Sequence, residues 1–403
     1  MKHKIIQFLK RFWAPLCLIL IIILAFYIRV DGYNWPYLRN IDSYSFLRAM
    51  DDIASNDGIL PQNDNLVRSP LGMIRSFDVH PYEYFGAYSF MISRIFSQEI
   101  QIWQFLIYFP AFVASLIAIP MYFIGKKLYD KKAGLLIAFF TVFEASLMAR
   151  SLAGDPDNDG FVLLVPMVLM AVFVYAYKSI ENDKKFNRKF FAYTFLLAAL
   201  FCLWSVTWIG YWYVVWLVSG FMVMKFIFYA VRDRSIKQSL ISLKHIMTSY
   251  VIVIVILFFF ISSVYSVGRF VYTFRGPFEF QEIKGEEKLI FPNVYVSVAE
   301  LQQSGGTREI ISRTSTVQGM GILLSPFFLM IYCLLYLLYS FVKKRQHIDT
   351  LMLLFIWFVG PFIATTVAVR FSILFTAPMA IGSGILLSKF IRLAVGEDKK
   401  IED

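Results

Sequence analysis

The sequence predicts an all-α polytopic membrane protein with two long loops on one side of the membrane. Composition is the first reason: of 403 residues, 58% are hydrophobic and 17% are charged, and the mean hydropathy is +0.62. Soluble domains are about half apolar and about a quarter charged, so a soluble protein is excluded. The second reason is a series of about ten apolar runs, each close to the roughly 20 residues that a helix needs to cross a bilayer.

The first apolar run covers residues 12–30 and follows a basic N-terminus with Lys2, Lys4, Lys10 and Arg11. A secretory signal peptide has a shorter apolar core and ends in small residues at a cleavage site. This run has membrane-spanning length and lacks such an ending, so the sequence predicts a retained first helix. Basic residues flank spans on the cytoplasmic side, which places the N-terminus inside.

Further spans are expected at residues 102–124, 133–152, 161–177, 190–207, 211–229, 246–264, 319–341, 351–368 and 371–390. Counting from a cytoplasmic start, the basic clusters at residues 126–132, 184–189, 232–244 and 343–345 all fall inside, as the positive-inside rule requires. The net charge of +11 is therefore mostly topogenic. The basic clusters are not interleaved with aromatic residues into a groove, so nucleic acid is excluded as a partner. Residues 396–403 are expected to form a cytoplasmic tail.

The three cysteines, Cys17, Cys202 and Cys333, all lie within apolar runs. Neither a disulfide framework nor a zinc-binding spacing follows from their positions. Because buried free cysteines behave as small apolar side chains, we expect these three to fill space between helices.

Two connections on the outer side are far longer than the usual few residues. They cover residues 31–101 and about 265–318, and the first is expected to contain short helices at residues 42–54 and 82–96. Long loops on one side of a membrane protein commonly carry function. The outer face is therefore the expected place of a functional site.

Ionisable residues from four distant parts of the chain are brought to this outer face by the topology. Charges near bilayer depth are costly and usually belong to a site or a pathway. The outer set consists of Asp42, Asp155, Asp157, Asp159, Glu300, Arg313 and Arg370.

The run Asp157-Asn158-Asp159 is the most informative part of this set. Closely spaced carboxylates repel one another unless a cation lies between them, and an all-oxygen set suits Mg²⁺ or Mn²⁺ better than zinc. Asp42 is positioned to supply a third oxygen ligand. Asp and Asn are equally ordinary turn and helix-capping residues, so a purely structural role is the alternative for all three acids.

Together these residues resemble a known family. The four motifs are Asp42-x-Tyr-x-x-Leu-Arg, Ala-Gly-x-x-Asp157-x-Asp159, Ser297-Val298-Ala299-Glu300 and Val369-Arg370-Phe371. Their order, spacing and common face, over nearly the whole chain, are similar to the catalytic subunit of oligosaccharyltransferase, of the archaeal or bacterial single-subunit type. That family consists of membrane glycosyltransferases of the C superfamily. They transfer an oligosaccharide from a polyprenyl or dolichyl (di)phosphate carrier to asparagine in Asn-x-Ser/Thr, which is protein N-glycosylation.

The resemblance implies that Asp42, Asp157 and Asp159 bind Mn²⁺ or Mg²⁺, and that Glu300 contacts both the metal and the acceptor amide. Asp42 and Glu300 are then the catalytic acids. Carboxylates that accept from the amide N–H groups, with a metal that steadies the departing phosphate, would compensate for the weak nucleophilicity of an amide nitrogen. The alternative for Glu300 is a solvated loop acid.

The resemblance also assigns residues to the substrates. Arg370 is expected to bind the carrier phosphate, for which a guanidinium fork is suited, rather than snorkel to headgroups. Arg313 resembles an arginine that contacts the acceptor peptide. His80, Trp208 and Tyr211 resemble positions near the carrier headgroup, although a loop histidine and an interfacial aromatic belt are the plain alternatives.

The chain departs from the family pattern at its C-terminal end. It contains no Trp-Trp-Asp motif and stops at Asp403, so the family's C-terminal soluble domain is expected to be absent and residues 1–395 to form the transmembrane catalytic domain. A fragment, a split enzyme with a separate soluble-domain chain, and a paralogue that does not read the sequon are three explanations. We expect the protein to span the cell membrane several times, with its catalytic loops on the extracytoplasmic side.

Two other functions stay open at this point. One is another C-superfamily transferase that moves a sugar from polyprenyl phosphate to a protein hydroxyl or a lipid, which would have no need of Glu300 in its frame. The other is a polytopic lipid-glycan transporter, which would place ionisable residues at the bilayer midplane and often contains internal repeats. The sequence shows no repeat, and except for Glu144 its acids avoid the expected span interiors.

Overall fold

The computed structural model describes residues 2–66, 69–74, 80–285, 306–314 and 322–396, and these residues form a helical bundle. The helices, in chain order, are α1 (Lys2–Val30), α2 (Ile41–Ser55), α3 (Pro81–Phe96), α4 (Ile102–Leu116), α5 (Ala118–Leu128), α6 (Lys131–Val142), α7 (Ala145–Ala149), α8 (Asp159–Asp183), α9 (Arg188–Thr207), α10 (Trp212–Asp233), α11 (Ile236–Val264), α12 (Val267–Gly285), α13 (Thr307–Thr314), α14 (Pro326–Lys344), α15 (Ile348–Val367) and α16 (Thr376–Ala394). Within the described residues, 3₁₀ turns lie at Ile209–Tyr211, Ile322–Leu324 and Val369–Phe375. This confirms the all-α polytopic prediction.

Within the described part of the chain, nine helical segments are long and apolar enough to cross a membrane. One of these segments, Ile102–Leu128, combines α4 and α5, and the expected span at residues 133–152 has no counterpart among the nine. The single helix expected at residues 133–152 is wrong, because α6 ends at Val142 and the short α7 begins only after Glu144. The buried carboxylate of Glu144 accepts a hydrogen bond from the backbone N–H of Leu147 at 3.0 Å, so it caps α7 and starts a new helix.

The interrupted segment still passes from one end of the bundle to the other. At the start of α6, Asp130 binds Arg392 near the end of α16 (Oδ2 to Nη1, 3.3 Å). Just beyond the end of α6, Glu144 accepts from the hydroxyl of Thr376, which begins α16, at 2.9 Å. The segment therefore runs antiparallel to α16 along nearly its whole length.

Small residues let α6 approach its neighbours closely. A methyl group on Gly134 would lie 2.7 Å from the carbonyl oxygen of Tyr122 in α5, and one on Gly384 of α16 would overlap Ile137 of α6. Close backbone approach at small residues is a common way of packing helices in lipid, where burial of apolar surface between helices supplies little free energy. Most of α8 and α16 is buried within the bundle, whereas α1 and α11 are largely exposed at its periphery.

The first long connection is compact and lies against the bundle. It contains α2 and α3, which confirms the two short helices expected there, and a minimal antiparallel pair of strands, β1 (Asn63–Asp64) and β2 (Met73–Ile74). Met50 and Ile53 of α2 and Ala87 of α3 are fully buried. These apolar contacts fix the start of α2, which carries Asp42, relative to the transmembrane core.

Candidate functional site

The loop between α7 and α8 carries Asp155 and Asp157 and leads into Asp159, the first residue of α8, and its backbone is bonded to α1, to the segment before α2 and to α4. Gly154, at φ +83, donates its N–H to the carbonyl of Ile107 in α4 (2.7 Å) and accepts from the N–H of Arg39 (2.7 Å). The backbone N–H of Ala153 donates to the carbonyl of Arg29 at 3.0 Å. A left-handed backbone is easy only for glycine, which explains the residue at this bend. We call this part of the bundle, around Asp155, Asp157 and Asp159, the aspartate end.

Each acid of the loop has its own neighbour. Asp159, 6% exposed at the first turn of α8, is bound by the guanidinium of Arg150 (Oδ2 to Nη1, 2.7 Å). Asp155 accepts from the hydroxyl of Ser43 at 3.1 Å, and the carboxylate of Asp157 accepts from the backbone N–H of Asn158 at 2.6 Å. A carboxylate at a helix start also interacts favourably with the helix dipole, as Asp159 does.

The electrostatics of the loop reflect several acids in one place. Burial raises the pKa of Asp155, the hydrogen bond from Ser43 and the positive charge of Arg39 oppose that effect, and the negative charges of Asp159 and Asp42 add smaller increases. Burial, and then the charge of Asp157, hold the pKa of Tyr82 well above its ordinary value. Tyr82 therefore stays protonated and donates to the carbonyl of Pro156 at 2.9 Å, beneath the loop.

The donor chemistry at the aspartate end fits a hard divalent cation. Carboxylate oxygens of Asp42, Asp155, Asp157 and Asp159 provide an all-oxygen set, and a cation would relieve the repulsion that raises the pKa of Asp155. Among the residues that the structure describes, however, no three acidic, His or Cys side chains lie close enough together to hold one metal ion. Asp42 is exposed on the first turn of α2, and Glu300 lies outside the described residues. The expected group of Asp42, Asp157 and Asp159 is thus brought to one end of the bundle without forming a compact three-acid cluster.

The three residues that were expected near the carrier headgroup each contact neighbouring residues of the chain. His80 precedes α3 and its Nδ1 lies 3.2 Å from Glu83 Oε1, so it interacts within its own helix start. Trp208 ends α9 and packs on Trp204, with ring centroids 5.8 Å apart. The Tyr211 side chain is buried, and its hydroxyl pairs with Thr273 at 2.6 Å and donates to the Arg269 carbonyl at 2.9 Å.

The two expected arginines lie on elements that contact each other. The backbone places Arg313 in α13 and Arg370 in the 3₁₀ turn Val369–Phe375. α13 packs against this turn and against α7, and the turn also contacts α7. Since α7 leads directly into the aspartate loop, segments that are far apart in sequence meet at the aspartate end.

An apolar cavity of about 340 Å³ opens beside the Arg370 turn. Its walls come from α10, α12, α15 and the two flanking 3₁₀ regions, and they include Trp208, Trp212, Trp216, Phe371 and Leu374. The lining is almost entirely hydrocarbon and aromatic. Such a cavity suits an apolar chain rather than a sugar or a peptide backbone.

Sequence reasoning missed the residues that support the aspartate loop. Arg150 and Ser43 bind the loop acids, and Arg29, only 2% exposed, donates to Ser151 Oγ (2.8 Å) and to the Val142 carbonyl (2.6 Å). An arginine at the end of an apolar helix was the one signal of such a role. The partners of Arg29 and Ser43 lie more than a hundred residues away along the chain, so no local pattern could identify them.

Comparisons with known proteins show which family this chain is similar to. A family described as "Oligosaccharyl transferase STT3, N-terminal" matches residues 12–397. A dolichyl-phosphooligosaccharide-protein glycotransferase of Methanococcus voltae is 21% identical over 411 residues, which cover 92% of this chain and 44% of the relative. The chain thus spans less than half the length of this relative.

Among solved structures, the oligosaccharyltransferase of Archaeoglobus fulgidus in its apo form superposes with a TM-score of 0.64 at 18% identity, covering 97% of this chain and 52% of that protein. The same protein has been solved in complex with an inhibitory peptide and a dolichol-phosphate (TM-score 0.61, 18% identity, 97% and 52% covered). It has also been solved with Zn and sulfate (0.64, 19%, 96% and 51%) and tethered to an acceptor peptide containing the NVT sequon (0.63, 17%, 96% and 51%).

The superpositions show a shared fold, and the family match extends over nearly the entire sequence. On that match, this chain belongs to the oligosaccharyl transferase STT3 family and contains the family's N-terminal, membrane-embedded part.

Proposed function

We propose that the chain is a membrane glycosyltransferase that transfers an oligosaccharide from a polyprenyl or dolichyl (di)phosphate carrier to asparagine of acceptor proteins. The observation that carries this proposal is the meeting of the aspartate loop, α13 and the Arg370 turn at one end of the bundle, beside an apolar cavity. Acids, arginines and an apolar recess together match a substrate that has a nucleophile to activate, a phosphate to bind and a long hydrocarbon tail.

The carrier lipid is assigned to the side of the site that faces the cavity. Arg370 would bind the carrier phosphate, because a guanidinium donates two parallel hydrogen bonds to phosphate oxygens. Phe371, the next residue, lines the cavity together with Trp208, so the first isoprene units would pack there. The A. fulgidus complex with a dolichol-phosphate supports this choice of ligand class. Tyr211 and His80 are proposed to shape the surroundings of the headgroup rather than to react.

The acceptor is assigned to the acids. Asp42 and Glu300 are proposed to accept the N–H groups of the acceptor amide, which would localise electron density on its nitrogen for attack at the anomeric carbon. Arg150 and Ser43 hold neighbouring acids of the loop, and Arg313 would contact the acceptor backbone or sequon. The A. fulgidus structure tethered to an NVT-containing peptide supports a sequon peptide as the acceptor class.

A divalent cation is proposed as the cofactor, held by Asp42, Asp157, Asp159 and Glu300. When bound, Mn²⁺ or Mg²⁺ would supply charge stabilisation to the departing phosphate. The A. fulgidus structure with Zn and sulfate is consistent with a cation at such a site. In the proposed topology the aspartate end faces the extracytoplasmic side, because the basic clusters lie at the other helix ends.

A transfer assay in native membranes tests the function. Membranes that contain the chain are given lipid-linked oligosaccharide and an Asn-x-Thr peptide, with and without added Mn²⁺ after chelation. We expect glycopeptide formation that depends on the metal and falls by at least about a hundredfold in Asp157→Ala, a loss in the range seen when a charge-stabilising group is removed from an active site. A matched peptide with Gln in place of Asn should remain unmodified.

The control variant is Glu99→Ala, which removes an exposed acid from the loop between α3 and α4. This change should leave the rate unchanged. Metal-dependent transfer that persists in Asp157→Ala would reject the assigned site, and a wild-type chain that forms no glycopeptide would reject the function.

A further inference from the structure

A second cavity, of about 310 Å³, opens at the end of the bundle opposite to the aspartates. It lies between the last turns of α14, the short connection that precedes α15 and the last turns of α16, beside the turn that joins α5 to α6. The 20 residues of α15 make that helix about 30 Å long, so a bilayer thickness separates this cavity from the Arg370 turn. No step of the proposed transfer reaction involves it.

The charge of this cavity is one-sided. Of the ten described residues that line it, four are Lys or Arg and none is acidic. Lys343 and Lys344 are exposed at its rim, whereas Lys389 and Arg392 are half-buried in its wall. Asp130, outside the lining, binds Arg392 and also accepts from the N–H of Ala133 at 2.7 Å, so the arginine is attached to the start of α6.

The floor of the cavity is aromatic and carries hydroxyl groups. The hydroxyls of Tyr129 and Tyr336 lie 3.1 Å apart, and the ring of Tyr129 packs on His347 with centroids 5.2 Å apart. The ammonium of Lys389 lies 6.0 Å from the centre of the Tyr336 ring. Lys389, Tyr129 and Tyr336 are therefore packed against neighbouring side chains.

His347 responds to this surrounding. Burial, and then the positive charges of Lys178, Arg392 and Lys389, lower its pKa below the ordinary value of a histidine. Burial is the larger cause, and the contribution of the three cations adds to it, which is consistent with the four basic side chains that line the cavity. An anion with several acceptor oxygens is the ligand that these positive charges and donors favour.

The helix surfaces beside the cavity are apolar. Large hydrocarbon side chains on the outward faces of α14 and α16 are exposed, namely Leu335, Leu338, Val342, Phe390 and Leu393. A soluble anion would not contact this apolar surface, whereas the acyl chains of a membrane lipid would cover it. The cavity and the apolar faces together match an anion that is attached to hydrocarbon.

We propose that this cavity binds the phosphate headgroup of an anionic membrane lipid, with the acyl chains lying along α14 and α16. Basic recesses at the ends of transmembrane helices are suited to such headgroups, since each nearby cation strengthens the attraction to anionic lipid. In the proposed topology the lipid belongs to the cytoplasmic leaflet, whereas the glycan carrier reacts on the other side.

Native mass spectrometry of the detergent-purified chain tests this assignment. The protein is titrated with dioleoylphosphatidylglycerol or with zwitterionic dioleoylphosphatidylcholine, and the bound lipids are counted. We expect one phosphatidylglycerol to bind well ahead of phosphatidylcholine, and its affinity to fall about tenfold in Lys343→Gln/Lys389→Gln, which removes two cations of the cavity. The matched control Lys237→Gln/Lys244→Gln removes two exposed lysines from α11, at the same end of the bundle, and should leave the affinity unchanged.

Three results would overturn the proposal. The first is equal binding of the two lipids, and the second is an equal loss of affinity in the cavity variant and the control. The third is displacement of the lipid by an equal concentration of inorganic phosphate, which would indicate a site for a free anion. Tryptophan fluorescence checks that both variants stay folded. If the double variant does not fold, the single change Lys343→Gln, at an exposed position, should give a smaller loss in the same direction.

Discussion

At the scale of single residues, Gly154 shows how strongly the aspartate loop is constrained. Its φ of +83 is unfavourable for any residue with a Cβ atom, and a methyl group there would overlap the ring and hydroxyl of Tyr33. The two effects can be separated, because Gly32 has a similar φ of +77 with open space around its Cβ position. The chain thus contains its own control for backbone strain.

We expect Gly32→Ala to lower the free energy of unfolding by about 1–2 kcal/mol, the ordinary cost of a left-handed backbone. Gly154→Ala should cost clearly more, because the loop must shift away from Tyr33, and it should also reduce glycopeptide formation. Thermal unfolding followed by tryptophan fluorescence, together with the transfer assay, measures both effects. Equal destabilisation by the two changes would show that Tyr33 does not restrain the loop.

Much of the residue-scale chemistry could be predicted from local spacing, and some of it could not. Asp157 and Asp159 are two residues apart, so their proximity is visible in the sequence. The Arg150 to Asp159 ion pair and the Ser43 to Asp155 hydrogen bond depend on how the loop and α2 fold against each other. Side-chain partners of this kind follow from tertiary structure, which periodicity does not encode.

At the scale of secondary-structure elements, a buried charge cluster joins α8, α10 and α15. The ammonium of Lys225, 3% exposed, contacts Asp349 and the hydroxyl of Tyr177 and lies 2.9 Å from Glu181 Oε1. Lys178 binds the other oxygen of Asp349 at 3.1 Å. Sequence reasoning missed this cluster, because each charge lies near the end of an apolar run and resembles a residue that reaches water.

Lys225→Met should leave the half-buried carboxylates of Glu181 and Asp349 with Lys178 alone, and the loss should approach the cost of breaking a buried ion pair, about 3–5 kcal/mol. The exposed Lys237→Met serves as the control and should have little effect. In Lys225→Met/Asp349→Leu the remaining charges balance, so much of the stability should return. Unfolding of the three variants by heat or by sodium dodecyl sulfate distinguishes these outcomes. If Lys225→Met were as stable as the wild type, the cluster would not stabilise the contact between these helices.

The α14–α15 connection should make stability depend on pH. The folded state lowers the pKa of His347, whereas the unfolded chain has the ordinary value of about 6.5. Below that pH the unfolded state binds more protons, so stability is complete above about pH 6.5 and falls as the pH drops toward the folded-state pKa. His347→Gln should lose less stability between pH 7 and pH 5 than the wild type in neutral detergent, and identical pH profiles would contradict this.

Helix type and number were largely predictable, but helix continuity was not. Apolar length identified each of the nine described helical segments that are long and apolar enough to cross a membrane, but it also predicted one continuous helix at residues 133–152. The break after Val142 arises from the capping of α7 by Glu144 and from the hydrogen bond between Glu144 and Thr376. Glu144 was visible as an acid inside an apolar run, but its partner Thr376 is more than two hundred residues away, so the sequence alone did not reveal the interruption.

At the scale of the whole molecule, the two ends of the bundle have opposite character. Acids gather at the aspartate end, and basic residues gather where α14 and α16 finish. The sequence could predict this division, because the positive-inside rule acts on every short connection alike. It also predicts the direction of the bundle in the membrane, and this prediction can be tested without any enzymatic assay.

Single cysteines at the two ends report which side is exposed. In a background with Cys17, Cys202 and Cys333 replaced by alanine, Asn34→Cys places a thiol in the exposed segment after α1, and Gln346→Cys places one between α14 and α15. In intact cells a membrane-impermeant maleimide should label Asn34→Cys and spare Gln346→Cys, since the basic end is expected to face the cytoplasm. Permeabilised cells should show labelling of both, which confirms that each thiol is reactive. The reverse pattern in intact cells would place the aspartate end in the cytoplasm, and the proposed site would then face the wrong compartment for secreted acceptors.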